Sequence, residues 1–269
     1  MPKAVINGVG IGYDVQGQGE PLIMIMGFAG RRGAWLLQTR VFRKHFMAIA
    51  LDNRGVGGSD RPSEPYTMRD MADDVVGLMD HLGIDRAHVL GMSLGGVVAQ
   101  EVAINYPERV MKLVLASTYP GGEDTGTMSQ EIQENLGLRE GFSPEDMRSV
   151  DILEFMGTVT ARSFNNKLFR TIMVPLSRRY ARSTGLDGLL AQFEASASSN
   201  TLDRLHLIEA VTLVITGSED RVLPPRSSEV IAGKIPNSRL VKLEGGSHSI
   251  HIEMRGTFNR EILGFLLEG

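Results

Sequence analysis

The sequence predicts an α/β protein: a mainly parallel sheet of eight strands, helices on both faces, and one inserted helical cap. Three observations carry this. Short apolar runs of strand length alternate with longer stretches whose apolar residues recur at helical spacing, the pattern of a parallel sheet covered on both sides. The alternation stops between Tyr119 and about Arg204 and then resumes. Three polar residues able to do chemistry, Ser93, Asp220 and His248, each fall on a loop just after one of the apolar runs.

Residues Ala4 to Val15 alternate around Asn7-Gly8, a dipeptide suited to a two-residue hairpin turn, so two antiparallel edge strands are expected. The glycines at 8, 10 and 12 imitate a dinucleotide fingerprint, but no helix follows them and the hairpin reading stands. Leu22–Met26 is a strand buried on both faces, and Phe46–Leu51 is another, ending at Asp52. The glycine-rich turn between Asp52 and Asp60 lacks the Gly-Lys-Ser/Thr ending of a phosphate loop and reads as structural. Thr67 and Asp70 form a capping pair at the start of a helix. That helix carries Met68, Met71, Ala72, Val75, Val76, Met79 and Leu82 at helical spacing, and Gly83 ends it. Its methionines read as core filling.

Ala87–Leu90 is a strand, Leu94–Ile104 a helix and Met111–Ala116 a strand. Beyond Tyr119, Ser143-Pro-Glu-Asp is a helix start with proline in first position, and further helical segments follow, interrupted by Pro175, Gly185 and Gly188. The organisation expected is therefore a core of residues 1–119 and 206–269 with a helical cap over 120–205. The cap is rich in arginine (Arg162, Arg170, Arg178, Arg179, Arg182), read as a solvated face, with an acidic substrate group as the sharper alternative. Val211–Thr216 and Arg239–Glu244 are the last strands, and Thr257–Leu267 is a closing helix.

At 269 residues the chain can bury a sizeable core in one α/β domain with an insertion. A hydrophobic share of 42% and a charged share of 22% are ordinary for a globular protein in water. A net charge of −4 gives no reason to expect nucleic acid or an anionic membrane as a partner. With no cysteine, disulfides, thiolate zinc sites and a cysteine nucleophile are excluded. The first residues lack a basic-then-apolar leader pattern, and no apolar run approaches a membrane span, so a cytoplasmic location is expected.

The chemistry centres on Gly91-Met-Ser-Leu-Gly95, a Gly-x-Ser-x-Gly pentad where a strand pattern gives way to a helix pattern. This is the sequence form of a nucleophile elbow: a turn so tight that the positions two before and two after the serine must be small. A serine hydroxyl is a poor nucleophile at neutral pH and needs a base to take its proton. His248 is the candidate base. Asp220 is the candidate acid that would hold the imidazole in the useful tautomer, with Glu219 and Asp124 as alternatives. His251 follows His248 by three residues, but no acidic partner at a recognised metal spacing accompanies the pair, so no metal is expected.

Asp52-Asn-Arg-Gly-Val-Gly-Gly-Ser-Asp60, Gly91-Met-Ser-Leu-Gly-Gly96, Gly217-Ser-Glu-Asp220 and Gly246-Ser-His248 together resemble the α/β-hydrolase superfamily. The likeness is to its small bacterial esterase, lactonase and cofactor-free haloperoxidase branch, and it spans the chain from about Pro21 onward. Ser93, Asp220 and His248 follow the chain order of that superfamily's triad. The resemblance also assigns the backbone amides of Phe28 and Leu94 to an oxyanion hole. One departure is visible: the loop after the third strand commonly begins His-Gly in the superfamily, and here reads Met26-Gly27-Phe28-Ala29-Gly30. Met26 cannot hydrogen-bond as the usual histidine does, which puts the rigidity of that loop in question.

The function expected is a serine hydrolase of small carboxylic esters or lactones, working without a cofactor. Phe28, Trp35 and Met92 are expected to line the substrate pocket, with a place in the core as the equal alternative for Trp35. The partner is the small-molecule substrate; a homodimer is left open. The alternatives are a lactonase specialist for an enol-lactone or acyl homoserine lactone, a cofactor-free perhydrolase, and a hydrolase-like small-molecule receptor.

Overall fold

Eight short strands set the frame: β1 (Lys3–Ile6), β2 (Val9–Gln16), β3 (Glu20–Ile25), β4 (Phe46–Leu51), β5 (Ala87–Met92), β6 (Val110–Ala116), β7 (Val211–Gly217) and β8 (Ser238–Leu243). This computed structural model describes residues 2–121, 146 and 151–268. The strands form one sheet in the order β1-β2-β4-β3-β5-β6-β7-β8. β2 runs antiparallel to both β1 and β4, and every other neighbouring pair is parallel. The edge hairpin turns at Asn7 and Gly8, which both take positive φ (49° and 79°), as the turn chemistry predicts.

Alternation along each central strand feeds two cores. In β3, Ile23 and Ile25 face one apolar cluster while Leu22 and Met24 face the other. Helices α2 (Met68–His81) and α3 (Leu94–Asn105) close the first cluster. α1 (Leu36–Phe42) and the last helix close the second. α2 opens on a complete Thr67–Asp70 capping box and is followed by Gly83 at φ 68°. The glycine-rich turn after β4 is structural, as predicted. Asp52 is buried, accepts from the Arg32 and Gly58 amides, and pairs with the Arg32 guanidinium; Arg54 makes two 2.7 Å bonds to Asp74 on α2.

Between β6 and β7 lie the cap helices α4 (Ile152–Arg162), α5 (Lys167–Thr184) and α6 (Leu186–Ala197). The predicted helix start at Ser143 and the candidate acid Asp124 fall outside the described residues. Two residues expected to interrupt the cap helices lie inside them. Pro175 sits inside α5; it removes one amide from an exposed stretch, where water can serve the freed Thr171 carbonyl. Gly188 lies inside α6, where a side chain would collide with the Gly55 carbonyl, so it permits close packing of cap on core. Gly185 separates α5 from α6 at φ 82° as expected.

Both stems of the cap are tied to α3. Gly121 and Asn200 form an antiparallel bridge, and the Thr201 amide donates to the Pro120 carbonyl at 2.7 Å. The buried Gln100 side chain donates to Tyr119 O and accepts from the Thr201 hydroxyl. After β7 and β8 come α7 (Pro225–Lys234), the one-turn α8 (Ile250–Glu253) and the closing helix α9 (Arg255–Leu267). No described helix is long and apolar enough to cross a membrane.

Candidate active site

Topology dictates where the site lies. The chain winds from β3 outward to β4 in one direction and from β5 to β8 in the other, so the strand order reverses between β3 and β5. Loops leaving the carboxyl ends of strands on either side of such a reversal part and leave a crevice. The loops after β3, β5, β7 and β8 carry the residues singled out in the sequence.

Ser93 follows β5 and takes φ 54°, ψ −126°, a conformation that non-glycine residues seldom adopt. The flanking glycines make it attainable. A side chain at Gly91 would strike the Gly95 carbonyl, and one at Gly95 would strike the Ile25 carbonyl on β3. The turn is held by Ser93 N donating to Ala116 O at 2.9 Å and by the Thr118 hydroxyl donating to Ser93 O at 2.7 Å. The hydroxyl of Ser93 is left facing His248, with Oγ 3.2 Å from Nε2.

The other ring nitrogen of His248, Nδ1, lies 2.8 Å from Asp220 Oδ2. Asp220 Oδ1 accepts from the amides of Val222 and Leu223 at 2.8 and 2.9 Å, which aims the remaining oxygen at the imidazole. The loops after β7 and β8 cross at Gly217 and Gly246, where a side chain on Gly217 would collide with the Gly246 carbonyl. That close crossing brings the carboxylate and the ring together. Glu219, the neighbouring carboxylate, is exposed and accepts from Asn165 of the cap, away from His248.

The loop after β3 passes directly beside Ser93: a Cβ on Gly27 would stand 2.8 Å from the serine Cβ. Phe28 and Leu94 both border the cavity in front of Ser93, and Leu94 opens α3, where helix amides lack carbonyl partners. Sequence reasoning questioned the rigidity of this loop because Met26 replaces a hydrogen-bonding residue. The structure shows three substitutes. Asn53 donates to Met26 O at 2.9 Å, Gly30 N donates to Gly27 O at 2.9 Å, and Ala29 N donates to the Gln192 side chain of α6 at 2.9 Å.

The cavity measures about 210 Å³ and is bounded chiefly by Phe28, Met92, Phe155, Met156, Phe193 and Leu223. No Lys, Arg, Asp or Glu is among its described lining residues. The five cap arginines therefore do not form an acid-binding wall; Arg178, Arg179 and Arg182 are exposed, as a solvated face requires, whereas Arg162 and Arg170 are half-buried. The Tyr119 hydroxyl in the cavity wall pairs with Ser196 Oγ, and burial pushes it up, so it stays protonated.

The α/β-hydrolase-fold family matches residues 20–254. The chain belongs to that family. Among its relatives, a protein named carbamate hydrolase RutD from Azorhizobium caulinodans is 25% identical over 98% of this chain and 98% of its own. The solved enol-lactonase from Burkholderia xenovorans LB400 superposes with a TM-score of 0.87 at 25% identity, covering 99% of this chain and 100% of its own. Est816, described as an N-acyl homoserine lactone degrading enzyme, gives 0.83 at 27% identity, over 98% and 100%.

In this α/β-hydrolase Trp35 takes the core position and does not line the pocket. It ends a short 3₁₀ turn (Arg32–Trp35), is fully buried in the second core, and packs edge-on against His251, 5.9 Å between ring centres. A ring that large gains most when it is wholly out of water, and the sequence offered no sign of which side it would take. His251, weighed in the sequence only as a partner of His248 in a metal pair, borders the cavity beside His248. Both its ring nitrogens are buried without a hydrogen-bond partner, and no metal-binding cluster exists among the described residues.

Burial pushes the His251 ring down to about 3, and the neighbouring His248 acts in the same direction. Between that value and the ordinary histidine range near about 6.5, the unfolded chain binds a proton that the folded one refuses. Stability present at neutral pH is thus lost as pH falls below about 6.5. Urea unfolding at pH 7 and pH 4.5 is expected to show wild type losing roughly 2 kcal/mol more between the two than His251→Phe. Equal losses would mean that His251 takes up its proton without opposing the fold.

Proposed function

We propose that this hydrolase cleaves small, uncharged carboxylic esters or lactones through an acyl-enzyme on Ser93. The observation that carries the reading is the unbroken hydrogen-bonded line Asp220–His248–Ser93 opening into an apolar cavity. In the first half-reaction Ser93 Oγ adds to the carbonyl carbon while its proton passes to His248 Nε2. The oxyanion forms against the amides of Phe28 and Leu94, fixed donors that need no rearrangement as charge develops. His248 returns the proton to the departing alkoxide oxygen, leaving the acyl group on Ser93. Water then repeats the sequence, with His248 as base, and releases the acid.

The walls support this substrate class. Burying an ionised group without a partner costs several kcal/mol, and no Lys or Arg stands among the described lining residues to meet a carboxylate or a carbamate anion. Apolar walls from Phe28, Phe155 and Phe193 suit an acyl chain of modest length. The solved lactone-cleaving structures support a lactone as readily as an open ester, since a lactone is an internal ester. The RutD relatives raise carbamate as the competing substrate. A panel of nitrophenyl esters of graded chain length, neutral lactones and carbamate separates these. The best ester or lactone is expected to exceed carbamate in kcat/KM by at least about a hundredfold, the loss of roughly 3 kcal/mol that an unpaired buried charge imposes. A carbamate preference would sink the ester reading.

A further inference from the structure

We infer that Gln192, carried by the cap, is a positioning residue for the loop that presents the Phe28 amide, so that the seating of the cap and the aim of the oxyanion hole are set by one side chain. The inference rests on the proposed role of Phe28 as an oxyanion donor.

Gln192 is fully buried and spends both ends of its amide. Oε1 accepts from Ala29 N at 2.9 Å, and Nε2 donates to Arg54 O at 3.3 Å. The two contacts lie on different core loops, one after β3 and one after β4. The second is firmly based, because Arg54 itself is clamped by two 2.7 Å bonds to Asp74. Gln192 therefore transmits the position of a rigid ion pair to the loop after β3.

That loop needs an external hold. Ala29 takes φ 56°, a left-handed conformation that costs a non-glycine residue free energy and persists only when its surroundings fix it. Asn53 anchors the loop at Met26 O, one residue before Gly27. On the far side of Phe28 the Ala29 amide is the anchoring point, and its partner is Gln192. The two holds bracket the Gly27–Phe28 peptide whose N–H is to meet the oxyanion. Met26 itself brings no hydrogen-bonding side chain to the task. The neighbours of Gln192 on α6, Leu189, Leu190 and Phe193, are apolar and buried, so an amide among them is out of place unless it has work at that position.

The test uses Gln192→Met, which keeps the length and removes both bonds, beside Gln192→Glu. In that buried setting the new carboxyl is expected to stay neutral and so to reproduce one acceptor and one donor. Two readouts are taken: kcat and KM for nitrophenyl butyrate, and the rate at which an alkyl fluorophosphonate modifies Ser93, followed by intact mass. Deleting an oxyanion donor costs about 10²–10³ in kcat, and displacing one costs less. Gln192→Met is expected to lower kcat and the phosphonylation rate together by roughly ten- to a hundredfold with KM within about threefold, and Gln192→Glu to recover most of the loss. A purely structural residue would lower the melting temperature without this shared drop in two oxyanion-dependent rates.

Wild-type rates in Gln192→Met, or equal slowness of the Met and Glu variants at pH 6, would overturn the inference while leaving Ser93 as nucleophile. Should Gln192→Met fail to fold, Gln192→Asn, one methylene too short to reach Ala29, takes its place with the same expectation. Absence of labelling at Ser93 in the wild type would overturn the underlying serine-hydrolase reading as well, whatever the variants do.

Discussion

Ser93→Ala is expected to lower kcat for ester hydrolysis by about five to six orders of magnitude and to leave the fold intact. The backbone at position 93 already holds a Cβ at positive φ, and alanine demands nothing further of it. What disappears is the oxygen 3.2 Å from His248 Nε2. Without it the carbonyl carbon has no nucleophile in reach, and only the rate enhancement from the proposed oxyanion donors and binding persists. Turnover of nitrophenyl butyrate by a rigorously purified variant, with melting temperature as the control, measures this directly. Near-normal activity, or a fluorophosphonate adduct on a different serine, would remove Ser93 from the mechanism.

The second large effect is expected at Asp220. Replacing it by asparagine keeps the shape and inverts one hydrogen bond. The amides of Val222 and Leu223 require an acceptor, so the asparagine oxygen turns toward them and its NH₂ faces His248. Nδ1 must then accept, the ring proton moves to Nε2, and the nitrogen nearest Ser93 is no longer a base. A loss of about 10³–10⁴ in kcat is expected, as for the equivalent change in a serine protease triad. Glu219→Gln is the control. Its carboxylate is exposed and engaged with Asn165, so a change within about threefold is expected there. Comparable losses at both positions would show that the orienting acid has been assigned to the wrong carboxylate.

Much of this site was legible because local chemistry and topology agree. Asn7-Gly8, the Thr67–Asp70 capping box and Gly83 act within a few residues of themselves, so the sequence places the elements they bound. Ser93, Asp220 and His248 were legible for a related reason: each follows a β-branched or apolar run, and parallel strands deliver such loops to one edge. Features that depend on distant contacts were not legible. Gln192 meets Ala29 across 163 positions, and nothing near either residue announces the pairing. Trp35 could pack into the sheet-side core or face the crevice with equal local merit, and the ring of His251 that it lies against is more than two hundred positions away. Pro175 and Gly188 failed as helix breakers because one was exposed and the other was needed small.

Gly121 and Asn200 are bridge partners, so the cap leaves the core and returns to it through a neck two residues wide. To the sheet, everything beyond that neck is a single loop whose ends are already joined. Closing such a loop costs only about 0.6 kcal/mol more for each doubling of its length. Loop closure therefore sets little resistance to a cap of another length; what a new cap must replace is the seat of the present one, where Leu189, Leu190 and Phe193 are buried against the core and Glu253 accepts from the Asn165 and Asn166 amides. Among those contacts is the amide that Gln192 places between Ala29 and Arg54.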